Sequence, residues 1–327
     1  MDRLRRNAAD GCRVNWVRFG RLIVVAALLA MAVNYVDPGK LPGHFDRRLL
    51  VAALAMQPFV VAWILLTAWR HGLIVARQPV RLGITVPAVV LSVGLNALLP
   101  ARASEALKAT YLAEHAGLPM SRCVGAVLLE RLADLFIVGL MGWGALILLN
   151  LEMAPAVLAG AVSLPLILLA LMAILAGKSS SAADRFRLSP LRHFFAMLSA
   201  VADQFNPAGF MRLFGLGLLI WSSGFAMMAV FMGLGGSRTL SGLQYLAVFV
   251  VTTIGSAVPA LPGGIGTYQA AGTFILTRYG FSTEEALALT TAAQLSVYLP
   301  TLALAILVSI RDGVGLRSLL GRARSAS

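Results

Sequence analysis

Apolar runs about as long as a bilayer is thick recur along this chain, and they leave it a single fold class. Residues 49–69, 82–99, 124–149, 155–176, 213–234, 243–258 and 286–310 each approach the ~20 residues with which a helix crosses about 30 Å of hydrocarbon. A shorter run, residues 22–33, follows a basic N-terminus. It reads either as a retained first span anchored by Trp16 and Tyr35, or as a signal peptide cleaved near Ala30-Met31-Ala32. Backbone polar groups in hydrocarbon must be satisfied within the chain, which selects helix. The expectation is an all-α polytopic membrane protein with about eight transmembrane helices. Only 13% of the residues are charged, against about a quarter in soluble domains, which supports the same class.

Residues 96–134 break the apolar pattern. They carry Arg102, Glu105, Lys108, Glu114, Glu130, Arg131 and Asp134 between and inside two apolar segments, with Asn96 at their start. A charge at the bilayer centre costs about 2.5–3.5 kcal/mol on insertion scales, so such groups pair, face water or handle something charged. Glu130 and Asp134 are four residues apart and share a helix face, and Arg131, three before Asp134, reaches it. Arg102 and Lys108 flank Glu105. Two readings stand together. One is a set of ion pairs locking this span to Arg102 or Lys108. The other is a polar wall that binds a headgroup or couples protons, with the Arg102 fork on a phosphate.

A second interruption, residues 259–282, opens on Pro262, Gly263, Gly264 and Gly266 and continues through a short apolar stretch to Gly280. Both interruptions are too broken to be spans and too apolar to be solvated loops, which suits half-helices or re-entrant hairpins. The glycines allow a tight turn with positive φ, or let N–H groups at a helix start meet an anion. Gly117 and Gly280 are 163 residues apart, as are Glu130 and Ala293, and Arg131 and Gln294. An internal duplication follows, with halves 1–150 and 151–311 of one membrane domain and a basic tail, 312–327. Paired interruptions at matching places are a sequence pointer to a transporter's binding site. Thr252, Thr253, Ser256, Thr290, Thr291, Ser296 and Tyr298 form a second polar lining, or simply bond back within their helices.

Lys and Arg number 27 against 14 Asp and Glu. In a membrane protein such an excess marks cytoplasmic loops and anionic headgroups, and no nucleic-acid partner is expected. Basic residues gather at the N-terminus, at 70–81, at 178–212 and after Arg311. The 178–212 segment interleaves them with aromatics, as in a helix lying on a leaflet. Cys12 and Cys123 are far apart and make no ligand pattern, so neither a disulfide nor a metal site is expected. Cys12 stands where acylation is chemically reasonable. No catalytic residue is assigned and no cofactor is expected. The oligomeric state is not legible.

These segments resemble the transmembrane region of lysylphosphatidylglycerol synthases, the flippase-like domain family. The residues that carry the resemblance are Pro100-Ala101-Arg102-Ala103-Ser104-Glu105, Glu130-Arg131-Leu132-Ala133-Asp134 and Leu261-Pro262-Gly263-Gly264-Ile265-Gly266-Thr267-Tyr268-Gln269, with Gln294 in the last span. Ser104 stands where the family has Gly, Lys108 where Arg is common, and Gln269 and Gln294 where it has an acid and a base. The exchange of both charges together is what a neutral hydrogen-bonded pair in place of an ion pair would look like. The resemblance implies a stand-alone membrane domain that moves a lipid between leaflets of the bacterial inner membrane. Its partners would be membrane lipids with an anionic or isoprenoid headgroup, or a lipid-biosynthetic enzyme. The expected substrate-binding set is Asn96, Arg102, Glu105, Lys108, Glu130, Arg131, Asp134, Pro262, Gly263, Gly264, Gly266, Gln269, Gln294 and Tyr298. With no nucleotide motif, movement would be downhill or ion-coupled. The alternative is an accessory subunit or transferase acting on an isoprenoid, polycyclic or glycosylated lipid.

Overall fold

The computed structural model describes residues 43, 45–76, 78–96, 98–99, 103–148, 163–164, 166–171, 173–174, 197, 201–257 and 261–313. Among them every regular element is helical. The helices are α1 (Arg47–Ala55), α2 (Gln57–Ile74), α3 (Leu82–Asn96), α4 (Ala103–Ala116), α5 (Met120–Leu148), α6 (Pro207–Gly235), α7 (Gly242–Ala257), α8 (Thr267–Arg278) and α9 (Thr283–Arg311). The first expected span (22–33), most of 155–176, Cys12, Pro100, Arg102, the 178–200 part of the connector except residue 197, and the tail beyond Gly313 lie outside the described residues.

Asp46 starts α1 by accepting the N–H groups of Arg48 and Leu49, and α2 follows after Met56 alone. Among the described residues the pair, residues 47–74, is one of three helical stretches long and apolar enough to cross a membrane, with α6 and α9. Helix α3 and helix α7 are shorter apolar helices. Along α2, Val60, Ile64 and Ala68 are buried while Val61, Leu65 and Trp69 are about half exposed. Both faces are apolar because the outward one meets lipid, not water. Helix α5 has 29 residues, about 43 Å of rise, but carries the charges found by sequence and so has a partly polar inner face.

The order apolar helix, short helix, 29-residue helix occurs twice, as α3–α4–α5 and α7–α8–α9. Helices α4 and α8, with 14 and 12 residues, rise about 21 and 18 Å, less than the hydrocarbon thickness. Each short helix packs on the helix before it and the helix after it, while α3 lies along α9 and α7 against α5. The close α3–α9 contact needs Gly94: a Cβ there would stand 2.7 Å from the Ala305 Cβ.

Candidate functional site

Helix α2 runs past the expected end of its span and carries Arg70 and His71 into the interior, where they are 1% and 0% exposed. The sequence had placed Arg70 in a basic cytoplasmic loop, residues 70–81. That expectation is corrected: the helix continues to Ile74, and buried carboxylates supply its partner. The Arg70 guanidinium donates from Nη1 to Asp134 Oδ1 at 2.7 Å and from Nη2 to Oδ2 at 3.1 Å. Trp221 Nε1 of α6 donates to the same Oδ1 at 3.1 Å. Arg70 Nε lies 3.5 Å from Glu130 Oε1, an ion pair without a directed hydrogen bond.

Glu130, wholly buried on α5, accepts from Lys108 Nζ at 3.0 Å. His71 Nδ1 sits 2.8 Å from the same Glu130 Oε2 but out of line, so neither His71 nitrogen is in a hydrogen bond. Lys108 also stands 3.2 Å from Glu105 Oε2. Arg131 Nη2 is 3.6 Å from Glu105 Oε1 and 3.4 Å from Asp134 Oδ2. Arg70, Lys108 and Arg131 therefore face Glu105, Glu130 and Asp134, three cations against three carboxylates, on α2, α4 and α5. Such matching is what makes charge tolerable at membrane depth.

The cluster has a dry side and an open side. Arg70, His71 and Glu130 are sealed, whereas Arg131 and Glu105 are about a third and a fifth exposed. Arg131 Nε is buried without a hydrogen-bond partner, and Glu105 Oε2 has the Lys108 ammonium 3.2 Å away as its ion-pair partner. Both residues line a cavity of about 460 Å³ with Lys108, Asp134, Asn96 and Ser104. Ser104 donates to Asn96 at 3.3 Å, tying the start of α4 to the end of α3.

The second interruption reaches the same cavity through Leu261, Gly263 and Gly264, with Tyr298 of α9 beside them. Gly263, Gly264 and Gly266 all have positive φ, and a Cβ on Gly264 would lie 2.7 Å from the Ser256 Cα. Gln269 accepts the Gly266 N–H at 2.7 Å and donates to Gln294 Oε1 at 2.8 Å. Gln294 Nε2 and the Tyr298 hydroxyl donate to Gly263 O at 3.1 and 2.6 Å. The loop thus satisfies these groups itself as a tight turn, and the Gly266 N–H is not left for an anion. Pro262 opens this turn, in a short 3-10 segment, Pro262–Gly264. Thr252, Thr253, Ser256, Thr290 and Ser296 bond back to carbonyls of their own helices.

Sequence reasoning missed Arg70, His71 and Trp221. The available signal was the unmatched acid on α5, since Glu130 and Asp134 together require more cation than Arg131 supplies. Helix ends around the site are fastened by other pairs. Arg122 donates to Val75 O at 2.6 Å and to Asp203 at 2.7 Å. At the far end of α9 the Tyr111 hydroxyl donates to Asp312 Oδ2 at 2.6 Å. Hydrogen bonds from Arg311, and then from Tyr111, hold the Asp312 carboxyl down at about 2. Among the described residues no group of His, Cys, Asp and Glu is arranged to hold a metal.

Comparison with known proteins gives one family. The family model described as Lysylphosphatidylglycerol synthase TM region matches residues 18–305, nearly the whole chain. No curated protein and no solved structure matches it.

Proposed function

Because the chain belongs to the lysylphosphatidylglycerol synthase TM region family, a membrane domain of flippase-like, lipid-related proteins, we propose that it carries lipid headgroups across the bilayer through the charged cavity. The observation that carries the reading is the shared cavity. Both interruptions line it, and charges of both signs stand on its wall inside an otherwise apolar helical body. A headgroup entering hydrocarbon alone forfeits its hydration, which for a charge amounts to many kcal/mol. Arg131 and Lys108 offer an anion its partners, and Glu105 and Asp134 offer the same to a cation or a hydroxyl. The volume lies within the roughly 300–1,000 Å³ usual for small-ligand sites.

Since cations and carboxylates balance among the described cluster, a headgroup bearing both an anionic and a cationic or hydroxyl pole fits it better than a bare anion. The chemistry is exchange of hydrogen-bond and ion-pair partners, without bond making. Movement is driven by the lipid gradient or by an ion taken up beside Glu105.

Purified protein in vesicles tests this. Labelled lipids with zwitterionic, anionic and isoprenyl-phosphate headgroups should change leaflet faster than in protein-free vesicles, the zwitterionic ones most. No acceleration for any of the three would reject the proposal.

A further inference from the structure

Beside the charged cavity lies a second chamber of about 210 Å³, and we propose that it is the subsite for the hydrocarbon of the lipid cargo. The apolar part of its wall includes Met56, Met227, Met228, Phe231 and Phe249, and it shares Trp63, Thr253, Ser256, Val297 and Tyr298 with the charged cavity. A lipid held here keeps its head against Arg131 and Glu105 while the adjoining hydrocarbon enters protein, not bilayer. The inference rests on the lipid reading given above.

Three observations carry it. First, the chamber stands where the duplication puts the counterpart of the charged cluster. At the offset of 163 residues, Glu105 corresponds to Tyr268, Glu130 to Ala293, Arg131 to Gln294 and Asp134 to Val297, and all four counterparts line the chamber. One half of the repeat holds charge at this place, and the other holds a space.

Second, polar atoms on the chamber wall are turned away or satisfied. The Thr252 hydroxyl bonds to Val248 O, the Thr253 hydroxyl to Phe249 O and the Gln294 amide to Gly263 and Gln269. The Ser256 hydroxyl bonds to Thr253 O and the Tyr298 hydroxyl to Gly263 O, and with Tyr268 also on the wall the space is mostly, not wholly, apolar. An apolar cavity of about 150 Å³ stays dry and takes benzene, so this larger one suits a ring or a short branched chain. Its methionines adapt to irregular shapes.

Third, the two spaces adjoin through common walls, which is the arrangement an amphiphile needs. A tail arriving from the bilayer gains no hydrophobic free energy, so what holds it here is close contact with the wall. The chamber is too small for a whole acyl chain, so the distal hydrocarbon continues outside it.

The test is photolabelling of the protein in nanodiscs with a short isoprenyl phosphate that carries an aliphatic diazirine in its hydrocarbon. Adducts are expected on Met227, Met228 or Phe231. Ala293→Phe and Met227→Trp, which fill the chamber from different helices, should each reduce the adducts that remain countable, while Leu307→Ala, on the exposed face of α9, should leave them in place. Adducts confined to the lipid-facing Leu218, Leu219 and Leu234, or unchanged by both filling variants, would overturn the subsite. So would absence of label from wild-type protein. The vesicle assay reads the other reading separately. Transport with label only on the outer face keeps the transporter and rejects the subsite. Label inside the chamber without transport does the reverse.

Discussion

Arg70 and Asp134, 64 residues apart, meet side by side, with both guanidinium Nη atoms on both carboxylate oxygens. The pair joins α2 to α5 behind the cavity. It is dry on the Arg70 side and shielded by Trp221 on the other. Breaking a buried pair by removing one partner costs about 3–5 kcal/mol, because the survivor is left uncompensated. Asp134→Asn and Arg70→Met should each show that loss as unfolding in detergent. Replacing both by apolar residues should recover most of it. Arg70→Lys should behave as a loss too, since a single ammonium cannot span two oxygens.

Arg131 and Glu105 differ from that pair in being more exposed on the cavity wall. Arg131→Ala and Glu105→Gln should slow lipid movement in vesicles at least tenfold, about 1.4 kcal/mol of barrier, with little change in unfolding. Gln269→Ala and Gln294→Ala should act the other way round, on stability first. Equal transport defects from both sets in folded protein would remove the charged half from its leading role.

The Gln269–Gln294 hydrogen bond joins α8 to α9 as a neutral pair. Gln294→Arg alone buries an unmatched cation near Gly263 and should cost about 3–5 kcal/mol. Adding Gln269→Glu supplies the partner and keeps the acceptor for Gly266 N–H, so the double variant should regain most of that stability. Unfolding midpoints of the single and double variants decide it.

Gly264 holds φ at +68° against the Ser256 backbone. Alanine there meets both the left-handed penalty, roughly 1–2 kcal/mol, and a clash with main chain that cannot move aside. Gly264→Ala should lower the unfolding midpoint more than Gly313→Ala, whose φ is also positive but whose surroundings are open.

Tyr111 and Asp312 tie α4 to the end of α9. Tyr111→Phe should cost about 0.5–1.5 kcal/mol. The folded Asp312 carboxyl is depressed to about 2, so its contribution is present above the unfolded value and lost only as pH falls through the folded one. The cost of Tyr111→Phe should therefore be the same at about pH 5 and pH 8. A cost that changes between them would mean that another group controls the tie.

Much of the site was legible because intramembrane charge is rare enough to stand out. Glu105, Lys108, Glu130, Arg131 and Asp134 are all found in one cluster. Arg70 was misread because a basic residue at the end of an apolar run looks alike whether it snorkels to a headgroup or turns inward. The glycine turn was legible as a turn or an anion site, and only the positions of Gln269, Gln294 and Tyr298 distinguish the two.

By itself the sequence determined the fold class and the two interrupted segments, since both follow from local demands: hydrocarbon satisfies no backbone hydrogen bond, and the clustered Pro and positive-φ Gly of 262–266 break a helix where the single Pro87 and Pro300 do not. The tertiary structure alone decided which charge meets which, that the cluster balances, and that one chamber is charged while its counterpart is mostly apolar. Those outcomes depend on distances between side chains from α2, α4, α5, α6 and α7, and no spacing along the chain encodes them.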